Sequence, residues 1–315
     1  MYINTTGYFV PEQRVLNQYF LPINGLSDEW IYQRTGIKSR SKASESETMD
    51  FMCIEAVKDA KKTLTYDIKE VDLIIFASYT PSDLVATTAH VVQRAFGIEN
   101  AKAFFISSAC SSAINATEII QSFFISGKAK KALLISADRN SSYADESDPK
   151  SGHLWGDAAA AVFFSKDKEE KMQAKVLDVD TSGLGCIGKG PGGVYLNPQE
   201  KGIKMPDGRD VFIQACSYIA KNTQAILDKN KFTIEDLTYF IGHQANMRIL
   251  SHVSKELGMS AEKCLSNIEE LGNTGSVSSI LVFAQNYSRF KPNDLICIST
   301  FGGGYSSGAC LLLFE

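Results

Sequence analysis

Three short segments carry side chains whose types and order suit thioester chemistry: Ser108-Ala109-Cys110-Ser111-Ser112-Ala113, Gly242-His243-Gln244-Ala245-Asn246 and Gly272-Asn273-Thr274-Gly275. They supply a thiol, an imidazole and an amide, each where a turn interrupts an apolar stretch. Cysteine attacks as the thiolate, and a place at a helix N-terminus favours that anion through the helix dipole and free backbone amides. Cys110 follows a strand-like run, Ala103 to Ile106, and precedes a helical pattern from Ser111 to Phe124. It is therefore a candidate nucleophile, with small neighbours that leave room for an acyl group. A structural role in the core is the plainer reading of a cysteine, and it is the expected one for the others.

His243 ends the apolar pattern Tyr239-Phe240-Ile241-Gly242. Alone it would read as a hydrogen-bonded interior histidine; beside a nucleophile it becomes a donor or a base. Asn273 alone would read as a turn residue. A fourth segment, Phe301-Gly302-Gly303-Gly304-Tyr305-Ser306-Ser307-Gly308, follows the strand-like run Leu295 to Ser299. Consecutive glycines let the backbone approach a ligand, so a glycine N–H can join the Cys110 N–H as an oxyanion hole. A tight hairpin would need fewer glycines.

The elements that must position these groups repeat within the chain at a spacing of about 165 residues, a length compatible with one α/β half of a duplicated fold. The run Ile68 to Ser78 lies over Ile234 to Gln244, and Lys131 to Ser136 lies over Asp294 to Ser299. Each reads as a buried strand bounded by turn residues. The second match carries Cys110 onto Asn273, and a helical pattern follows each, Gly275 to Tyr287 in the second case. Strand and helix periodicities alternate through both halves, so the class is α/β with buried sheets flanked by helices.

Between the halves, residues 183 to 210 are rich in turn formers. Gly183 to Gly188 spells a literal GxGxxG after the strand-like Val176 to Val179, with Asp207 further on. A dinucleotide site needs a helix to start at those glycines, and Lys189-Gly190-Pro191-Gly192-Gly193 cannot continue as one. The stretch is expected to cover a substrate channel instead.

Composition narrows the function classes. The chain has 315 residues, 44% hydrophobic and 22% charged, with 32 basic against 36 acidic residues. A formal charge of -4 gives no overall drive toward nucleic acid or anionic membrane. Seven cysteines, scattered and without a CxxC pair, suit reduced cytoplasmic thiols and suit neither a disulfide framework nor a thiolate metal site. The start lacks a basic segment followed by an apolar one, and no run approaches the roughly 18 apolar residues of a membrane span. The expected location is the cytoplasm.

With these segments in order, the sequence resembles β-ketoacyl-[acyl carrier protein] synthase III of the thiolase superfamily over nearly its whole length. Ser27-Asp28-Glu29-Trp30-Ile31, Arg34-Thr35-Gly36-Ile37 and Trp155-Gly156-Asp157-Ala158-Ala159-Ala160 add to the match. The resemblance implies a thiolase-like duplicated αβαβα five-layer fold with buried mixed sheets. Its N-terminal half, 1–166, would carry the cysteine, and its C-terminal half, 167–315, the histidine and asparagine. It implies a decarboxylative Claisen condensation, in fatty acid or related secondary lipid synthesis. Cys110 takes an acyl group from acyl-CoA or acyl carrier protein, while His243 and Asn273 bind the carbonyl of a malonyl carrier-protein thioester. Gly303 with the Cys110 amide forms the oxyanion hole, and Phe301 shields the decarboxylation site. Trp30, Arg34, Arg248 and Asn246 meet coenzyme A or the carrier protein. Met205, Phe212 and, from a homodimer partner, Val85 line the acyl channel. No metal or redox cofactor is implied.

Departures from the family pattern bear on the substrate. Leu26 stands where a small hydroxyl residue is common in synthases that use coenzyme A, Asp148 to His153 lacks the usual arginine, and Ala158 and Ala160 replace glycines. These weaken the coenzyme A and fatty-acid-initiation reading specifically and leave the chemistry intact; relatives with the same triad join a longer acyl or β-ketoacyl thioester to another chain, as in alkylresorcinol- or quinolone-type synthesis. Transfer of the acyl group to an oxygen or nitrogen acceptor would leave Asn273 without an enolate to stabilise. A noncatalytic partner subunit would leave the whole triad unused.

Overall fold

The computed structural model describes residues 1–169, 172–183, 193–196 and 202–315. Its strands are β1 (Tyr2–Phe9), β2 (Arg14–Leu16), β3 (Ser39–Ser41), β4 (Leu73–Ala77), β5 (Lys102–Ile106), β6 (Lys131–Arg139), β7 (Asp157–Ser165), β8 (Ala174–Gly183), β9 (Tyr239–Gly242), β10 (Leu295–Gly302) and β11 (Ser306–Phe314). The helices are α1 (Leu21–Asn24), α2 (Asp28–Thr35), α3 (Met49–Lys61), α4 (Thr88–Ala95), α5 (Ser112–Ile125), α6 (Gly208–Lys229), α7 (Met247–Glu256), α8 (Ile268–Leu271) and α9 (Ser278–Asn286).

The main sheet runs β5-β4-β6-β7-β1-β8-β11-β10-β9. Read outward from its centre, β1-β7-β6-β4 and β8-β11-β10-β9 share one order: antiparallel neighbours first, then a parallel outer pair. β1 and β8 join the two series through Tyr2 with Lys175 and Ile3 with Ala174. Beyond β4 lies β5, and at the matching place beyond β9 a single parallel bridge joins Phe240 to Cys264. This is the duplication expected from the internal repeat.

Apolar faces stack these elements into five layers. Ile114, Ile120 and Phe124 of α5 and Leu281 and Phe283 of α9 pack between the inner faces of both series, against Ile75 and Leu134 on one side and Ile241 and Ile298 on the other. α3 and α4 cover the outer face of the first series, and α6 and α7 that of the second. Burying each such Ile, Leu or Phe contributes about 1.5–3 kcal/mol, so the central helix pair helps hold the halves together.

The sequence match of the repeated strands needs one correction. Pairing Lys131 with Asp294 would set Leu134 on Cys297, yet Leu134 faces the central helices while Cys297 faces α6. The faces equate Leu134 with Ile298, one residue further on. Strand side chains alternate, so a slip of one residue exchanges the two faces. The helices keep the original spacing, with Ile114 matching Val277 and Ile120 matching Phe283 in the same central core.

Residues 184–192 lie outside the described residues, and with them most of the GxGxxG stretch and Cys186. Asp207 is the N-cap of α6, accepting from the amides of Arg209 at 3.1 Å and Asp210 at 3.0 Å. Among the described residues, no helix is long and apolar enough to cross a membrane.

Candidate active site

The segments that carry chemistry collect where the parallel strands end. Cys110 follows β5, His243 follows β9, and Phe301 and Gly303 lie at the end of β10, the edge where α/β sheets bind ligands. Cys110, His243, Asn273, Phe301 and Gly303 all line one cavity of about 120 Å³. A second cavity, of about 210 Å³, opens on the other side of Cys110 between Tyr79, Ser107, Trp155 and Ile203. A third, of about 410 Å³, lies at the surface among Trp30, Arg34, Arg209 and Arg248. It shares Met205, Phe212 and Asn246 with the first. The three form a route from a basic mouth, past His243 and Asn273, to the thiol and beyond it.

Cys110 is reached from these cavities yet sits deep in the protein. Ala109 before it takes φ 52°, a left-handed conformation that costs a non-glycine residue about 1–2 kcal/mol. Ser112 then starts α5, so the thiol lies just ahead of the helix N-terminus. Contrary to the expectation from the helix dipole, burial pushes the Cys110 thiol up to about 12, and the carboxylate of Asp138 adds to the rise. The N–H groups of Gly303 and of Cys110 itself oppose it. These two amides thus face the sulfur, the arrangement an oxyanion hole requires.

Asp138 is fully buried at the end of β6. It accepts from the hydroxyls of Ser78 and Thr80, each at 2.8 Å, and from the amide of Ser276 at 2.6 Å. It stitches the turn after β4 to the Asn273 segment. Gly275 there has φ 72°, and a Cβ on it would lie 2.3 Å from an Asp138 oxygen.

His243 is buried, and desolvation lowers its pKa to about 4, so the imidazole is neutral at ordinary pH. Its Nδ1 lies 2.7 Å from the Ser278 hydroxyl, whose oxygen also accepts the Gln244 amide at 3.3 Å. A hydroxyl proton given to Nδ1 leaves the proton of the neutral ring on Nε2, the tautomer in which Nε2 donates. Of the two roles open from sequence, donor or base, that tautomer suits the donor. Asn273 is fixed in the same sense. Its Oδ1 accepts the Gly275 amide at 2.9 Å, leaving the Nδ2 amide to donate.

The glycine loop is both a hairpin and a cavity wall. Tyr305 N–H closes the turn on the Gly302 carbonyl at 2.8 Å. The Gly303 carbonyl accepts from Gly193 at 2.9 Å and Val194 at 3.1 Å, and a Cβ on Gly303 would meet Val194 at 2.5 Å. Phe301 stacks on Tyr218 with ring centroids 6.0 Å apart.

The remaining expected residues divide. The Arg34 guanidinium lies over the Trp30 ring at 4.2 Å, and that of Arg248 over Phe212 at 5.6 Å, both at the mouth. Asn246 borders the mouth too, but both its polar atoms serve the protein: Oδ1 accepts the Arg248 amide at 2.8 Å and Nδ2 donates to the Arg34 carbonyl at 3.0 Å. Met205 and Phe212 line the mouth side of the route and do not border the cavity beyond Cys110. Val85 is 88% exposed and borders none of these three cavities within its own chain. Sequence reasoning missed Ser278 and Asp138, whose partners come from distant segments. Trp155, noted only as part of a family segment, lines both inner cavities.

Comparison with known proteins gives the family. Residues 104–185 match the family model for 3-oxoacyl-[acyl-carrier-protein] synthase III, and residues 227–314 match that for its C-terminal part. The β-ketoacyl-[acyl-carrier-protein] synthase III of Acholeplasma laidlawii is 34% identical over 98% of this chain and 97% of its own. The chain belongs to the β-ketoacyl-[acyl-carrier-protein] synthase III family. Among solved members of the synthase III family, the 3-oxoacyl-[acyl-carrier-protein] synthase III of Aquifex aeolicus superposes with a TM-score of 0.92 at 34% identity, covering 99% of each chain. A priming β-ketosynthase from the R1128 polyketide pathway has a TM-score of 0.89 at 26% identity, over 99% of this chain and 96% of that one.

The elevated thiol pKa makes one expectation specific. Below a folded pKa near 12 the thiolate fraction grows tenfold per pH unit, so alkylation of Cys110 by iodoacetamide, followed by peptide mass, should rise about tenfold per unit from pH 7 to 9. A plateau near neutrality would show an activated thiolate and contradict this.

Proposed function

We propose that the chain catalyses the decarboxylative Claisen condensation of an acyl thioester with a malonyl carrier-protein thioester, through an acyl-Cys110 intermediate. The observation that carries this reading is the meeting, in one cavity, of two pairs: the His243 imidazole with the Asn273 side-chain amide, and the backbone amides of Cys110 and Gly303 about the sulfur. The first pair suits an enolate oxygen and the second a tetrahedral oxyanion.

In the first half-reaction the Cys110 sulfur attacks the donor thioester, the donor C–S bond breaks, and the thiol proton passes to the departing thiolate. In the second, the malonyl thioester carbonyl accepts from His243 and Asn273. The bond to its carboxylate breaks, carbon dioxide leaves, and the electron pair forms the enolate. The enolate carbon attacks the acyl-Cys110 carbonyl, the oxyanion rests on the Gly303 and Cys110 amides, and the C–S bond breaks. The Cys110 thiolate then takes up a proton, and the product is a 3-oxoacyl thioester. Phe301, buried against Tyr218 beside the donors, keeps water from the enolate. Transfer to an oxygen or nitrogen acceptor would leave the His243–Asn273 pair without a function.

The basic mouth, with Trp30, Arg34, Arg248 and the capping residue Asn246, suits the phosphates of a coenzyme A or carrier-protein arm. The halves 1–166 and 167–315 then bring the nucleophile and the enolate donors respectively. β5 is an edge strand with half-buried Phe104 and Ile106, and Leu84 and Val85 are 72% and 88% exposed. Such an edge is normally covered, which supports a homodimer in which Val85 of the partner subunit closes the cavity beyond Cys110. A cytoplasmic location fits the scattered thiols.

The test supplies acyl-CoA and acyl carrier-protein donors of several lengths together with malonyl carrier protein. Carbon dioxide and a 3-oxoacyl carrier-protein product are expected for at least one donor. Failure of every donor to label Cys110 would overturn the proposal.

A further inference from the structure

The turn that holds Cys110 and the glycine loop are tied by two hydroxyls far apart in sequence. Ser306 Oγ lies 2.6 Å from Ser111 Oγ and 2.7 Å from the Ser108 carbonyl. Ser111 Oγ lies 2.8 Å from the same carbonyl and 3.0 Å from Asn115 Oδ1. Two hydroxyl protons thus serve a closed set of acceptors on either side of Cys110. The tie acts at a point of direct contact: a Cβ on Gly302 would lie 2.8 Å from the Ser108 carbonyl and 3.1 Å from the Cys110 nitrogen. Any movement of the loop therefore shifts the Gly303 amide relative to the Cys110 amide.

We propose that Ser306, with Ser111, is a positioning residue that sets the spacing of the two oxyanion-hole amides and so governs acyl transfer at Cys110. The inference rests on the condensing reaction proposed above. It spares the decarboxylation step, because the donors for that step are held separately: His243 by Ser278 and Asn273 by Gly275. Misplacing a preorganised donor by a fraction of an ångström weakens it at the transition state while leaving the thiol in place.

The test compares two reactions of the same sulfur. Acylation by an acyl-CoA or acyl carrier-protein donor passes through an oxyanion, whereas alkylation by iodoacetamide does not, and the ratio of their rates cancels any change in thiolate population. Ser306→Ala is expected to lower that ratio about tenfold, with Ser111→Ala acting in the same direction. Ser306→Thr, which keeps the hydroxyl, should return it to within about twofold of the parent, and decarboxylation of malonyl carrier protein should change less than about threefold. An unchanged ratio in Ser306→Ala, or a fall that Ser306→Thr does not reverse, would overturn the proposal. If the parent protein accepts no acyl donor, it is the condensing reaction itself that fails.

Discussion

Replacing Cys110 with serine should abolish condensation, with a loss of more than about a thousandfold, while decarboxylation of malonyl carrier protein persists. The hydroxyl of serine has no adjacent base here. His243 is buried and its Nδ1 is already engaged with Ser278, so it is poorly placed to draw the proton from an alcohol. Sulfur manages without such a base because a thiol releases its proton more readily, even at a pKa near 12, and because the donor's departing thiolate can take it. Intact-protein mass after exposure to acyl donors would show the loss of the acyl adduct, and carbon dioxide release would report the surviving half-reaction. A Cys110→Ser variant that still condensed at a tenth of the parent rate would mean that another residue carries the acyl group.

The complementary prediction concerns the other donor pair. His243→Ala and Asn273→Ala should each slow decarboxylation roughly 100- to 1000-fold, the usual cost of removing one preorganised donor from a developing oxyanion. Acylation of Cys110 should stay within about threefold of the parent in both. With the His243 pKa lowered to about 4, the ring is neutral across pH 5.5 to 8, so its contribution as a donor should not titrate there. A histidine acting as a base with an ordinary pKa would give a limb near pH 6.5. Loss of acylation together with decarboxylation in either variant would show that the pairs do not act separately.

Much of the architecture could be read from the chain because duplicated strands leave duplicated apolar runs. The match of Ile68 to Ser78 with Ile234 to Gln244 located β4 and β9 and, at the end of β9, His243. Local pattern was weaker at register. Lys131 to Ser136 and Asp294 to Ser299 are both continuous apolar runs, buried on both faces, so nothing local distinguishes one face from the other. The site showed the same division. Cys110, His243, Asn273 and Gly303 could be found because each interrupts an apolar stretch with small or turn residues. Ser278, Asp138 and Ser306 could not, since each looks like an ordinary polar residue until tertiary structure brings its partner close. The acidity of the thiol was misjudged for the same reason. A helix N-terminus is legible in sequence, whereas the burial and the Asp138 carboxylate that raise the thiol pKa belong to the packed protein.

The central claim is that one sulfur carries the acyl group and a separate donor pair generates the carbanion that removes it. A single-turnover measurement tests this directly. Acyl-Cys110 protein, freed of donor and identified by mass, is mixed with malonyl carrier protein, and acyl loss, carbon dioxide and product are followed together. One carbon dioxide and one 3-oxoacyl carrier-protein product are expected for each acyl group lost, with all three appearing at one rate. Loss of the acyl group without carbon dioxide, or carbon dioxide release that leaves acyl-Cys110 intact, would contradict it.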